Sequence, residues 1–353
     1  MENHDNLFLV VTATGGAHSL SSLTKALHGQ EVSKPLAMIS SDGSLLQKTV
    51  ASFQSSVPAR HMFVLVSAND ETRARAQLGA WPGVNVMALP EGHASACALL
   101  LILAEILTES PQAEVVLVSA DRYFANHEPF VEALMLARDQ LGLVPAVLMG
   151  AAADGCAPGQ ELLLPGAQLG EEIFALTSVH HPVSESACAS LVEQEAMLAT
   201  SAFIARGPFL YHVLARALPA TADAISHMWR TGHPSSAELA SALRQVTTTT
   251  CMSDAHALLL REIGSVAVAR VKGAGYSDWE TPEQVFHSLR SPFELAWLLS
   301  RLRVDSPAAG TPNAARGRPT MDLDDAPGSV RPGGKPVSVM GSDGEAAYRR
   351  ETA

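Results

Sequence analysis

V-V-L-V-S-A-D, residues 115–121, is a short, continuous run rich in Val and Leu that ends on a lone aspartate. A run of this kind reads as a strand buried on both faces, as in a parallel sheet. A second run, V-A-V-A-R-V-K-G-A-G-Y-S-D, residues 266–278, starts the same way. It breaks at Gly273 and Gly275, where a turn is easy, and also ends on an aspartate. In open α/β sheets, ligands sit just beyond the carboxyl ends of the strands. Two carboxylates delivered there from distant parts of the chain could hold one Mg²⁺, which takes hard oxygen ligands. That arrangement recurs in chemistry on nucleotide phosphates.

The N-terminal stretch L-F-L-V-V-T-A-T-G-G-A-H-S-L, residues 7–20, points the same way. A strand runs into Gly15 and Gly16, and glycines after a first strand let the backbone approach a phosphate closely. Neither G-x-G-x-x-G nor G-K-S/T is present, so the dinucleotide and P-loop fingerprints are both missing.

Strand-like runs at 7–11, 62–66, 84–89, 115–119 and 146–149 alternate with helical patterns at 44–53, 71–78, 94–107 and 128–141. The alternation predicts a three-layer αβα, Rossmann-like domain with a mostly parallel sheet. Residues 155–181 are rich in Gly and Pro and read as loops with short β pieces. Helices are expected at 185–197, 208–217, 235–246, 254–263 and 292–302, with the 266–271 strand among them. One domain over 1–303 is followed by a tail, 304–353, whose Gly/Pro/Ala composition predicts disorder.

The net charge of −12 argues against a nucleic-acid or anionic-membrane binder. The most apolar helix, 94–107, is interrupted by Glu105 and is shorter than the ~20 residues a membrane span needs. The start lacks the basic region of a signal peptide, and a cytoplasmic location is expected. Cys97, Cys156, Cys188 and Cys251 form no C-x-x-C. They read as reduced, mostly buried thiols rather than disulfides or zinc ligands.

Laid end to end, these elements resemble the sugar-1-phosphate nucleotidyltransferases, and among them the mannose-1-phosphate guanylyltransferases, over about residues 7–302. Five segments carry the resemblance: the strand and G-G loop followed by Lys34-Pro35; S-L-L-Q-K-T-V at 44–50; L-P-E-G-H-A-S-A-C-A at 89–98; V-S-A-D-R-Y-F at 118–124; and G-Y-S-D-W-E-T-P at 275–282. The departures are as specific. The family loop G-G-x-G-T-R-L-W-P-L-S has become G-G-A-H-S-L-S-S-L, without its arginine. Its E-K-P is replaced by His180-His181-Pro182, and its W-N-S-G-M-F by L-A-T-S-A-F at 198–203.

The resemblance implies a transferase that makes a nucleotide sugar, GDP-mannose in the simplest case, and pyrophosphate. Its substrates would be GTP and a sugar 1-phosphate. It further implies that Asp121 and Asp278 bind Mg²⁺, that Lys34 pairs with phosphate, and that Gly15, Gly16 and Ser95 lie against the nucleotide. A homo-oligomer is compatible with this. Each residue has a plainer reading. Asp121 could cap the turn after its strand, Asp278 could cap the helix starting near Thr281, and Lys34 could be a solvated charge. His180 and His181 suggest a metal, but no third ligand has suitable spacing. The lost arginine and sugar-side residues also permit a catalytically impaired relative that binds a nucleotide or a protein partner.

Overall fold

Strand β1, Leu7–Ala13, explains the sheet. Leu7, Leu9, Val11 and Ala13 enter one hydrophobic core, while Phe8 and Val10 enter another, and all six are buried. A strand with a core on each face has no solvent side. Its sequence is therefore a nearly continuous apolar run, broken only at the half-buried Thr12, instead of alternating.

The computed structural model describes residues 6–15, 20–89, 95–153, 156–231, 255–289 and 291–304. Beside β1 lie β2 (Met62–Ser67) and β3 (Asn85–Leu89) on one side and β4 (Glu114–Ser119) on the other. Beyond β4 come β9 (Met197–Arg206), β6 (Ala146–Ala152), β10 (Val266–Val271), β8 (Ile173–His180) and β7 (Leu162–Gly170). Strands β1 to β4 pair in parallel, and so do β6 and β10. Strand β9 is antiparallel to both β4 and β6, which leaves those two pointing the same way. The carboxyl ends of β1, β4, β6 and β10 therefore share one edge.

Helices α1 (Ser21–His28), α2 (Leu45–Phe53), α3 (Glu71–Gln77) and α5 (Glu128–Asp139) cover the first core through Leu23, Leu46, Phe53, Ala74, Phe130 and Leu134. The second core lies under α4 (Ser95–Glu109), α7 (Gly207–Ala217), α8 (Pro219–Thr231) and α9 (Ala255–Leu259). These are the three layers expected from the alternation. Helix α2 starts at a capping box: Gln47 N donates to Ser44 Oγ at 3.2 Å, and Ser44 N donates to Gln47 Oε1 at 3.1 Å. The S-L-L-Q motif thus has a local physical reason, worth ~1 kcal/mol.

Several expectations need correcting. Residues 155–181 hold two long antiparallel strands, β7 and β8, rather than loops with short β pieces. Pro165 and Gly166 fall where the β7–β8 register shifts, past the Leu162 and Leu163 pairs with β9, so the strand absorbs its breakers as irregularities. The helix expected to reach residue 197 is α6 (Glu185–Glu193), and Met197 instead opens the interior strand β9. Cys97, read as a thiol, is disulfide-bonded, with its partner outside the described residues. Sequence spacing cannot show which cysteines the fold brings together. Cys156 and Cys188 are free thiols. The helix expected at 235–246 lies outside the described residues, and so does the tail from residue 305. The expected boundary at 303 falls in the last turn of α11 (Pro292–Val304). Among the described residues no helix is long and apolar enough to cross a membrane.

Candidate functional site

Asp121 follows β4 by two residues, and Asp278 follows β10 after a turn. That turn uses positive φ at Gly273 and Gly275, 75° and 62°. At Gly275 a Cβ would also stand 2.8 Å from Ala125 Cβ, so the chain needs glycine there. Two short strands, β5 (Tyr123–Phe124) and β11 (Tyr276–Ser277), then pair antiparallel, with Ser277 opposite Tyr123. Continuing that register places Asp278 across from Arg122, and both Asp121 and Asp278 act electrostatically on the Arg122 guanidinium. The Trp279 ring, fully buried, stacks on Tyr123 with centroids 4.3 Å apart and planes 13° from parallel. Trp279 also takes a positive φ of 49°, a strained turn between Asp278 and Glu280.

Asp121 Oδ1 accepts a 2.6 Å hydrogen bond from Ser119 Oγ. Its Oδ2 lies under Gly15, where a Cβ would come within 3.2 Å of it. Asp278 Oδ2 accepts from Gln160 Nε2 at 3.0 Å. Neither Asp121 Oδ2 nor Asp278 Oδ1 accepts a hydrogen bond from a described residue. Lys34, in a helical turn at Lys34–Leu36, is buried. Its Nζ donates to the main-chain oxygens of Asp278 (2.9 Å) and Trp279 (3.4 Å) and to Glu280 Oε1 (3.3 Å). An ammonium has three donors, and all three are engaged by the loop that carries Asp278. Ser95 opens α4, but its side chain and the whole of Gly16 lie outside the described residues. Thr281, not Asp278, caps the short helix α10 (Pro282–Ser288), in a second capping box with Gln284.

Four neighbours were not singled out from the sequence: Arg122, Gln160, Trp279 and Glu280. Three of them sit in the quoted V-S-A-D-R and S-D-W-E segments, next to the aspartates, whereas Gln160 had no signal. Arg122 Nε is 3.3 Å from Asp121 Oδ1 and Nη1 is 3.6 Å from Glu280 Oε1. Burial works against the guanidinium charge, but Tyr276, Asp121, Glu280 and Asp278 outweigh it and hold the Arg122 pKa above its usual value. Burial likewise raises the Tyr276 phenol well above its usual value, against the pull of Arg122.

A cavity of about 530 Å³ opens at Asp278, which lines it together with Gln160, Leu198, Tyr276 and His287. Next to Gln160, Glu161 Oε1 bonds His256 Nε2 at 2.8 Å, and Glu161 Oε2 lies 3.7 Å from His181 Nε2. Burial opposes the Glu161 charge, yet His256, His181 and Arg122 keep its pKa below the usual carboxylate range. His180 Nε2 pairs with Ser178 Oγ at 2.7 Å. No cluster of three or more His, Cys, Asp or Glu suited to a metal occurs among the described residues. A cation here would have two protein carboxylates and take its other oxygens from ligand and water. That donor set fits Mg²⁺. Gly15 supports the fit, because the missing Cβ leaves space over Asp121 Oδ2.

No protein-family model and no curated protein matches the sequence. Among solved structures, the chain is similar to a mannose-1-phosphate geranyltransferase from Thermus thermophilus. The TM-score is 0.65 and the identity 17%, over 81% of this chain and 80% of that one. It is also similar to a mannose-6-phosphate isomerase from Helicobacter pylori, with TM-score 0.53 and 11% identity over 77% of this chain and 99% of that one. What the chain shares with these two structures is the fold, a three-layer αβα domain built on a mostly parallel sheet.

Proposed function

We propose that the protein is a nucleotidyltransferase resembling mannose-1-phosphate guanylyltransferase, joining GTP and a sugar 1-phosphate into a nucleotide sugar, GDP-mannose, with release of pyrophosphate. In that reaction an oxygen of the sugar phosphate attacks the α-phosphorus of the triphosphate. The bond to the departing diphosphate breaks, and its electrons leave with pyrophosphate. The protein's work is alignment and charge neutralisation. Mg²⁺ held by Asp121 and Asp278 would supply part of the neutralisation. The single observation that supports the reading is the β5–β11 ladder, which brings the segment carrying Asp278 to the one carrying Asp121, so that both carboxylates act on Arg122. Gly15, lacking a Cβ, lets the first loop lie against Asp121, and Lys34 ties down the Asp278 loop.

The engagement of Lys34 favours a second reading, a relative that binds a nucleotide without turning it over. With Lys34 tied to the loop and the family's loop arginine absent, fewer free cations face a transferring phosphoryl group. A coupled pyrophosphate-release assay with Mg²⁺, run across nucleoside triphosphates and sugar 1-phosphates, separates the two. Release that requires both substrates supports the transferase. Nucleotide binding without release supports the binder.

A further inference from the structure

We propose that Arg122 is the side chain that grips the phosphate groups of the ligand in this site, a role that rests on the phosphate-ligand reading above. The guanidinium is mostly buried, with 23% side-chain exposure, and stands among Asp121, Asp278 and Glu280. Its two carboxylate contacts, at 3.3 and 3.6 Å, are charge contacts and not hydrogen bonds. Nε is buried with no hydrogen-bond partner, and no other guanidinium N–H bonds a described residue. Buried donors are nearly always satisfied, so a charged fork held without acceptors calls for an explanation.

Other basic groups in the protein show what satisfaction looks like. Arg138 Nε donates to Glu114 at 2.5 Å, Arg270 Nη2 donates to Glu195 at 2.8 Å, and Lys34 has all three donors engaged. Among the described residues, Arg122 combines open donors with a place at the strand-end edge beside both aspartates. The three carboxylates keep it charged but offer poor hydrogen-bond geometry. A di- or triphosphate supplies the missing acceptors, and a planar guanidinium fits two phosphate oxygens at once. Lys34 then holds the loop, and Arg122 holds the anion.

The test is calorimetric titration of the full chain with inorganic pyrophosphate in the presence of Mg²⁺. Wild type should bind, and Arg122→Gln should weaken binding by roughly tenfold or more, the scale of a lost charge-assisted pair. Arg122→Lys, which keeps the charge and loses the fork, should fall between them, and the salt dependence should be shallower in Arg122→Gln than in wild type. Melting temperatures report folding, and if Arg122→Gln melts early, Arg122→Lys decides. Wild-type affinity in both variants, or no pyrophosphate binding by wild type, overturns the assignment. Unchanged binding in the variants alongside pyrophosphate release by wild type overturns Arg122 and leaves the transferase standing. Arg122-dependent pyrophosphate binding without turnover of any substrate pair does the reverse.

Discussion

The Lys34 ammonium donates a 2.9 Å hydrogen bond to the main-chain oxygen of Asp278, 244 residues away in the chain. Together with its bonds to Trp279 O and Glu280, this makes Lys34 a clamp on the Asp278 loop rather than a free cation. Lys34→Met, which keeps the stem, should cost ~1–3 kcal/mol, because two carbonyls and a carboxylate lose a charged donor. For a domain of this size that is a drop of several degrees in Tm. Mg²⁺-dependent nucleotide binding should weaken with it. Unchanged melting would contradict the clamp.

Gly15 lies over the Asp121 carboxylate. In Gly15→Ala the new Cβ would sit 3.2 Å from Oδ2 and 3.3 Å from Asp121 Cβ, so the aspartate must shift by a few tenths of an ångström. Stability should change by less than ~1 kcal/mol, since Gly15 needs no positive φ. Metal-dependent binding should fall by several-fold. Calorimetry with and without Mg²⁺ reads this directly, and a loss of stability with binding intact would refute it.

Burial, helped by the nearby Lys48 charge, lowers the His127 imidazole from 6.5 to about 4. The folded protein therefore holds the ring neutral while the unfolded chain takes up a proton between those values. This contribution is complete above pH 6.5 and is lost as pH falls toward 4, amounting to ~3 kcal/mol. His127→Phe removes the linkage, and because Nε2 has no partner it strands no hydrogen bond at that atom. Denaturation midpoints at pH 7 and pH 4.5 should differ less in His127→Phe than in wild type. An equal difference in both proteins would count against the prediction.

Ser201 in β9 has a φ of 59°, in the left-handed region. Ser201→Gly should relieve the strain and raise stability, by up to ~1 kcal/mol after the entropy cost of glycine. Urea unfolding checks it, and a lower midpoint would contradict it.

The sequence is legible where the local pattern and the final structure agree. The apolar runs of β1 and β4 and the helix at 44–53 needed no distant partner to be read. Strand β9 was not legible. L-A-T-S-A-F-I-A-R is interrupted by Thr200 and Ser201, and only its place between β4 and β6 makes it a strand. Pro165 and Gly166 hid β7 in the same way. At the site, Asp121 and Asp278 were visible because each ends an apolar run. Arg122, Gln160 and Glu280 were not, because their roles depend on the β5–β11 pairing and on Lys34 reaching across the fold.

On the proposed reading, Asp121 and Asp278 would serve one Mg²⁺ that joins nucleotide phosphates to the protein. Calorimetric titration of GTP with and without Mg²⁺, on wild type, Asp121→Asn, Asp278→Asn and the double variant, tests it most directly. Each single variant should remove most of the Mg²⁺ dependence, and the double variant should lose little more, since both side chains act on one ion. Fully additive losses, or Mg²⁺-independent binding that neither substitution alters, would contradict the account.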